Sequence, residues 1–90
     1  MLTSIRTGKF KQEFALAEKR HKNIDKLIEV MSLIINEKPL PPERRNHRLH
    51  GEWEGSFECH IEPNWLLIYE IDYSSKEVTF HRIGSHSDLF

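Results

Sequence analysis

The sequence predicts an α+β fold in which a helical hairpin packs on one face of an antiparallel sheet. Its first half contains two segments with apolar residues at helical spacing, and its second half contains apolar runs with the two-residue period of strands. A proline-rich run at residues 39–42 separates the two halves and cannot continue a helix. Because a chain of 90 residues has apolar material for only one core, we expect a single domain over residues 1–90.

The first half of the chain predicts a strand followed by two helices. Residues 2–6 suit an N-terminal strand, and the hydroxyl of Thr7 is expected to cap a helix over residues 8–21. Asn23 is expected to cap the second helix, which should end near Asn36. Each helix has one core-facing apolar stripe, formed by Phe10, Phe14 and Ala17 in the first and by Ile24, Leu27, Ile28, Met31, Ile34 and Ile35 in the second.

The second half predicts an antiparallel sheet of three or four strands, which lie at residues 56–62, 65–73 and 78–83, with a short additional strand within 44–51. In the first of these runs, Phe57, Cys59 and Ile61 alternate with polar residues. His60 is therefore expected on the face opposite the core, and Cys59 within the core. The last six residues can lie across the sheet.

Charge is distributed unevenly along the chain, although the net charge is only -1. Residues 1–50 contain eleven Lys and Arg against six Asp and Glu, whereas residues 51–90 contain two against eight. This division is compatible with a basic face for a polyanion, and equally with a solvated surface on which the two halves mix. A single cysteine and the lack of an apolar N-terminal run give no sign of export or of a membrane segment, so we expect a cytoplasmic protein.

Histidines cluster in the second half, where five of the six are found: His47, His50, His60, His81 and His86. The sequence has no cysteine pair and no helical HExxH motif, so we expect neither a metal nor another cofactor. Metal-free RNA cleavage fits the cluster better, because it needs a base, an acid and a cation for the charge of the phosphorane. Histidine, with an ordinary pKa of about 6.5, serves both proton roles, and Arg82 can supply the cation.

Three segments carry a resemblance to a known family: NHRLHG at 46–51, CHIEPNWLLIY at 59–69 and RIGSHSDLF at 82–90. Together with the helical hairpin and the proline-rich loop, they resemble the YafQ branch of the RelE/ParE toxin superfamily. The resemblance implies a toxin of a type II toxin-antitoxin pair, an endoribonuclease that enters the ribosome and cuts translated mRNA without a metal. It also implies a cognate antitoxin protein that blocks the toxin.

The same resemblance assigns roles to individual residues. Matched to the family, the catalytic residues are His47, His60, Arg82 and His86, and the aromatic RNA-binding positions are Trp65 and Phe90. Asn64 falls within the RNA-binding region, where the family usually has an aspartate that contributes to catalysis. Since asparagine cannot exchange a proton, either another group compensates or the enzyme is slower. Close to His47, the basic side chains of Arg44, Arg45 and Arg48 are candidates for phosphate contacts to mRNA and ribosomal RNA.

Other interpretations remain open on the sequence alone. His60 and His86 could be ordinary solvated residues, and the lysines of the first helix could form a solvated face. The same superfamily includes toxins that act on DNA gyrase, a mode of action that would not need three histidines and an arginine together. Asn64 also leaves room for a catalytically silent relative that acts through antitoxin binding.

Overall fold

A five-stranded mixed sheet with two helices on one face forms the body of the protein. The computed structural model describes residues 1–90. The elements are β1 (Thr3–Arg6), α1 (Gly8–Lys19), α2 (Ile24–Ile35), β2 (His47–Arg48), β3 (Phe57–Glu62), β4 (Trp65–Asp72), β5 (Glu77–Gly84) and α3 (His86–Leu89), with 3-10 turns at Pro42–Arg44 and Gly51–Trp53.

The strand order is β1-β5-β4-β3-β2. Strands β2 to β5 pair antiparallel, whereas β1 pairs parallel to β5 along one edge. The predicted α+β fold is confirmed, and the four antiparallel strands match the predicted sheet. The sequence pattern assigned no partner to the N-terminal strand, which the structure identifies as the fifth strand of the same sheet.

Both long helices begin at the predicted caps. The hydroxyl of Thr7 accepts a hydrogen bond from the backbone N–H of Phe10, and the side chain of Asn23 accepts one from Lys26. Helix α1 ends at Lys19, earlier than predicted, because the chain turns at His21 with a φ of 57°. None of the three helices has the length and apolar character needed to span a bilayer.

Apolar side chains cover both faces of the sheet. The larger cluster, between the helices and the sheet, includes Phe10, Leu27 and Phe80. On the opposite face, Leu66, Ile68 and Leu89 are buried beneath the partly exposed Leu49 and Trp53. His60 lies on this opposite face, as predicted, but the covering segments leave it only 9% exposed.

Candidate active site

Glu58 of β3 lies between two histidines predicted to be catalytic. The pairing of β2 with β3 sets His47 opposite Glu58, and strand alternation puts His60 on the same face. Atom Nε2 of His47 is 3.5 Å, and Nε2 of His60 is 3.6 Å, from Oε1 of Glu58. These are ion-pair distances, longer than good hydrogen bonds. The three side chains form a group that we call the His47–Glu58–His60 cluster.

Backbone carbonyls fix the orientation of both imidazoles. Nδ1 of His47 is 2.7 Å from the carbonyl oxygen of Arg45, and Nδ1 of His60 is 3.3 Å from that of Pro63. Because a carbonyl oxygen can only accept, each Nδ1 is the protonated donor in these contacts. The Nε2 atom of each ring is therefore the one that faces the carboxylate.

This geometry sets two imidazoles against one buried carboxylate. Glu58 is 3% exposed, so water cannot solvate its charge effectively. If both imidazoles were neutral, two Nε2 lone pairs would face a carboxylate oxygen. An N–H at either Nε2 would instead donate toward the carboxylate. The cluster can therefore hold an exchangeable proton, as acid–base chemistry requires.

Side-chain contacts anchor the segment that carries His47. The hydroxyl of Tyr69 donates to Oδ1 of Asn46 at 2.6 Å. Nη1 of Arg44 donates to the carbonyl of Ile61 at 2.8 Å, at the edge of β3 that β2 leaves uncovered. Both contacts tie this loop to the sheet immediately beside the cluster.

His86 reaches the cluster from the C-terminal helix α3. Its ring centroid is 6.1 Å from that of His60 in an edge-to-face arrangement, and 6.2 Å from that of Phe90. His86 itself is exposed, and its backbone N–H donates to Oδ1 of Asn64 at 3.0 Å. The structure thus brings together three of the predicted histidines, whereas His50 and His81 pair elsewhere, with Glu54 and Glu70.

A glycine and a capping box let α3 fold back against the sheet. A Cβ atom on Gly84 would lie 3.1 Å from Cβ of Asp88, so a larger residue would push the helix away. Ser85 caps the helix through the backbone N–H of Asp88, while the carboxylate of Asp88 accepts from the backbone of Ser85. These hydrogen bonds lower the pKa of Asp88.

Arg82 faces helix α1 and makes no hydrogen bond or ion pair with the histidines. Its Nε and Nη2 donate to the two carboxylate oxygens of Glu13 at 2.9 Å and 2.7 Å. The hydrogen bonds that Arg82 donates to Glu13 raise the pKa of Arg82, which keeps the guanidinium charged. The guanidinium of Arg82, the predicted cation, is therefore next to α3, but its main partner is Glu13 of α1.

A small cavity lined by three basic side chains and by Glu43 and Glu62 borders His60. It has a volume of about 260 Å³, and its lining includes Lys26, Arg44 and Arg45. The guanidinium of Arg48 lies farther along the loop, over the ring of Phe57. Arg44 and Arg45 therefore border the cluster on one side, together with Lys26 of α2, which the sequence did not single out, whereas Arg48 lies on the helix-side face of the sheet.

Comparisons with known proteins identify the family of the chain. Residues 2–90 match the YafQ toxin family, described as a bacterial toxin of type II toxin-antitoxin systems. The chain belongs to the YafQ family. An mRNA interferase toxin YafQ of Escherichia coli K12 is 41% identical over 85 residues, covering 93% of this chain and 90% of the relative.

Two solved structures of similar proteins extend the comparison. The YafQ chain of the Escherichia coli DinJ-YafQ complex is 38% identical, with a TM-score of 0.91 and coverage of 100% of this chain and 99% of the other. A metal-bound toxin of Helicobacter pylori is 33% identical, with a TM-score of 0.94 and full coverage of both chains. In the present chain, no group of three or more His, Cys, Asp or Glu side chains is arranged to hold a metal ion.

One predicted site residue does not fit its role. Trp65 was expected to stack on an RNA base, but its ring is in the helix-side core and the residue is 3% exposed. Lys22 covers the ring, with Nζ 5.1 Å from the centroid. The prediction of base stacking is wrong for Trp65, because a buried ring has no free face for a base.

Sequence reasoning also missed two acidic residues, Glu58 and Glu13. Glu58 is two residues before His60 on a predicted strand, so alternation alone could have placed both on one face. No local signal marks Glu13, which meets Arg82 across 69 residues of sequence.

Proposed function

We propose that this YafQ-family toxin is an mRNA interferase that cuts translated mRNA on the ribosome by histidine acid–base catalysis, without a metal. The observation that carries the proposal is the His47–Glu58–His60 cluster with the exposed ring of His86 beside it. This arrangement supplies two separate proton-exchanging groups within one small area. The names of the Escherichia coli relatives, which call them mRNA interferases, support the same reaction class.

In the proposed reaction, the 2'-oxygen of a ribose attacks the adjacent phosphorus. The bond between O2' and phosphorus forms, the bond between phosphorus and O5' breaks, and a proton moves at each end. The cluster is suited to accept the proton from the 2'-hydroxyl, because Glu58 stabilises the resulting imidazolium. His86 has no carboxylate partner, so its imidazolium is suited to release a proton to O5'.

The remaining predicted residues bind RNA in this proposal. Arg44, Arg45 and Arg48 contact phosphates of mRNA or ribosomal RNA from the loop beside the cluster. Phe90 is 60% exposed and next to His86, so its ring can stack on a base. Arg82 contributes positive charge near α3, and Asn64 acts through its contact with His86.

An antitoxin is the proposed protein partner. The solved DinJ-YafQ complexes contain the antitoxin partner of the Escherichia coli toxin. We infer that a cognate antitoxin keeps the present toxin inactive in the bacterial cytoplasm until it is removed.

Mapping of mRNA 5' ends tests the proposed function. Purified toxin is incubated with one mRNA, either free or on translating ribosomes, and the new 5' ends are mapped by primer extension. We expect cuts on the ribosome, which His86→Ala abolishes and the matched exposed-histidine control His50→Ala retains. No cuts with any variant would favour a silent relative, a possibility that Asn64 raises, and inhibition of DNA gyrase without cuts would favour the gyrase-directed alternative.

Metal dependence needs a separate design, because ribosomes themselves require magnesium. The toxin alone is treated with a strong chelator, freed of the chelator by gel filtration, and then added to ribosomes in magnesium buffer. We expect unchanged cleavage. Loss of cleavage that zinc or copper restores would contradict the metal-free mechanism, an outcome that the metal-bound Helicobacter pylori toxin makes important to examine.

A further inference from the structure

Glu13 of α1 is the main partner of Arg82, although no motif in the sequence marks it. Its two carboxylate oxygens accept from Nε and Nη2 of Arg82, and Oε1 also accepts from the backbone N–H of Ile83 at 3.2 Å. The side chains of Arg82 and Glu13 are only 20% and 14% exposed. Charge-assisted bidentate pairs of this kind have a defined geometry, so this contact fixes the position of the guanidinium.

The place of Glu13 in the fold explains why it meets β5. Strand β1 pairs with β5 only as far as Phe80, so the β5 edge beyond Phe80 has no neighbouring strand. Glu13 fills this gap by accepting the backbone N–H of Ile83. The carboxylate is thereby anchored to the same strand that carries Arg82.

The Nη1 group of Arg82 is the part of the guanidinium that the protein leaves without a hydrogen-bond partner. A guanidinium has five N–H donors. Nε donates to Glu13, while Nη2 donates to Glu13 and, at 3.3 Å, to the carbonyl of Asp88. Nη1 makes no hydrogen bond within the protein. A hydrogen bond from Nη1 to a phosphate oxygen would therefore leave the pair with Glu13 intact.

We propose that Glu13 is a positioning residue that holds one edge of the Arg82 guanidinium so that Nη1 is free to bind an RNA phosphate. The inference rests on the proposed function, since it names a residue that assists the same site. Glu13 acts only through Arg82 and does not touch the RNA. In its absence, the hydrogen bond from Nη2 to the backbone carbonyl of Asp88 is the one that remains, and it draws the guanidinium toward α3.

A double-mutant cycle separates positioning from general structural support, because a residue that acts only through Arg82 has no effect once Arg82 is removed. Single-turnover cleavage on ribosomes is measured for the wild-type toxin, Glu13→Ala, Arg82→Ala and the double variant. We expect a loss of about tenfold for Glu13→Ala and of about a hundredfold or more for Arg82→Ala, with the double variant equal to Arg82→Ala. Glu13→Gln, which keeps an acceptor oxygen, should recover part of the rate.

Glu18→Ala is the matched control, because Glu18 is an exposed acid on the same helix and forms no ion pair with Arg82. It should cleave at the wild-type rate. The inference would be overturned if Glu13→Ala cleaved mRNA at the wild-type rate. It would also be overturned if Glu13→Ala lowered the cleavage rate by the same factor with and without Arg82.

Binding provides a readout that does not depend on cleavage. The same four proteins are titrated onto a short fluorescent RNA whose 2'-hydroxyls are methylated, so that it cannot be cleaved, and affinity is followed by anisotropy. Arg82→Ala and Glu13→Ala should both weaken binding, and the double variant should match Arg82→Ala. The wild-type toxin could fail to cleave mRNA while the double variant still binds RNA as Arg82→Ala does. In that case the proposed reaction fails and the positioning role of Glu13 stands. Affinity that is unaffected by Glu13→Ala overturns the inference.

Discussion

Oδ1 of Asn64 accepts a hydrogen bond from the backbone N–H of His86 at 3.0 Å. Asn64, where the resemblance to the family implies an aspartate, therefore contacts the main chain of the proposed acid. This contact requires only an acceptor oxygen, which asparagine and aspartate both provide. Asn64 can thus preserve the position of α3 while changing the charge beside His86.

Asn64→Asp should increase cleavage near neutral pH and shift the alkaline limb of its pH dependence, which reports the proposed acid His86, to higher pH. An aspartate would keep the hydrogen bond to His86 and add a negative charge that favours a protonated imidazole nearby. The measurement is single-turnover cleavage by both proteins between about pH 5.5 and 8.5, where histidine changes its charge. Superimposable profiles would mean that residue 64 has no influence on proton transfer.

Asn64→Ala distinguishes the hydrogen bond from the charge. This variant loses the acceptor for His86, so the rate should fall at every pH without a shift of the profile. The backbone amide signal of His86 in NMR spectra should move in Asn64→Ala much more than in Asn64→Asp. An unchanged amide signal in Asn64→Ala would argue against the contact.

Glu58→Gln should lower single-turnover cleavage by about a hundredfold or more, the usual effect of losing acid–base catalysis. Glutamine has nearly the same shape as glutamate but cannot stabilise an imidazolium at His47 or His60. Glu62→Gln is a suitable control, because Glu62 is on the same strand and pairs with Lys22 and Lys26 instead. Comparable rates for the two variants would remove Glu58 from the proposed mechanism.

The helices, their caps and the main strands could be predicted because their signals are local. Thr7 and Asn23 each bind an amide three residues ahead, within one turn of sequence. The parallel pairing of β1 with β5 is not local, since it joins Thr3 to Glu77, and no periodicity specifies it.

The site was predicted only in part, for a related reason. The resemblance identified His47, His60 and His86, but the partners that orient them depend on contacts between distant segments. Trp65 shows the opposite error. It shares the core face of β4 with Leu67 and Tyr69, so its burial followed from strand alternation, and the expected stacking role conflicted with that pattern.

Arg82→Ala and His86→Ala should differ in stability although both reduce cleavage. His86 is exposed, so its removal should change the free energy of unfolding by less than about 1 kcal/mol. Arg82→Ala leaves the largely buried Glu13 without its partner and should cost roughly 1–3 kcal/mol. Urea denaturation of both variants, with the exposed Arg45→Ala as control, measures these values. Equal stability of all three would indicate that the Glu13–Arg82 pair contributes nothing to folding.

Cys59 should resist alkylation in the folded protein. It is fully buried, and burial raises the pKa of its thiol to about 12, so almost no thiolate is present at neutral pH. Iodoacetamide should label it only after unfolding, as followed by mass spectrometry with and without urea. Rapid labelling without denaturant would show that β3 opens readily and would bring the packing of the cluster into question.

Acid should loosen α3 only below about pH 4, the ordinary range of an aspartate. Hydrogen bonds from Ser85 lower the pKa of Asp88 in the folded protein. A lowered pKa means that the stabilisation is complete above the unfolded value and is lost as the pH falls through the folded value. Asp88 should therefore stay charged near neutral pH and should not cause changes in the cleavage rate there. We expect the histidines to cause those changes. The backbone amide signal of Ser85, which donates to the Asp88 carboxylate, should move below about pH 4, and Asp88→Asn should abolish that movement. A Ser85 signal that does not move below about pH 4 in the wild-type protein would contradict this role of Asp88.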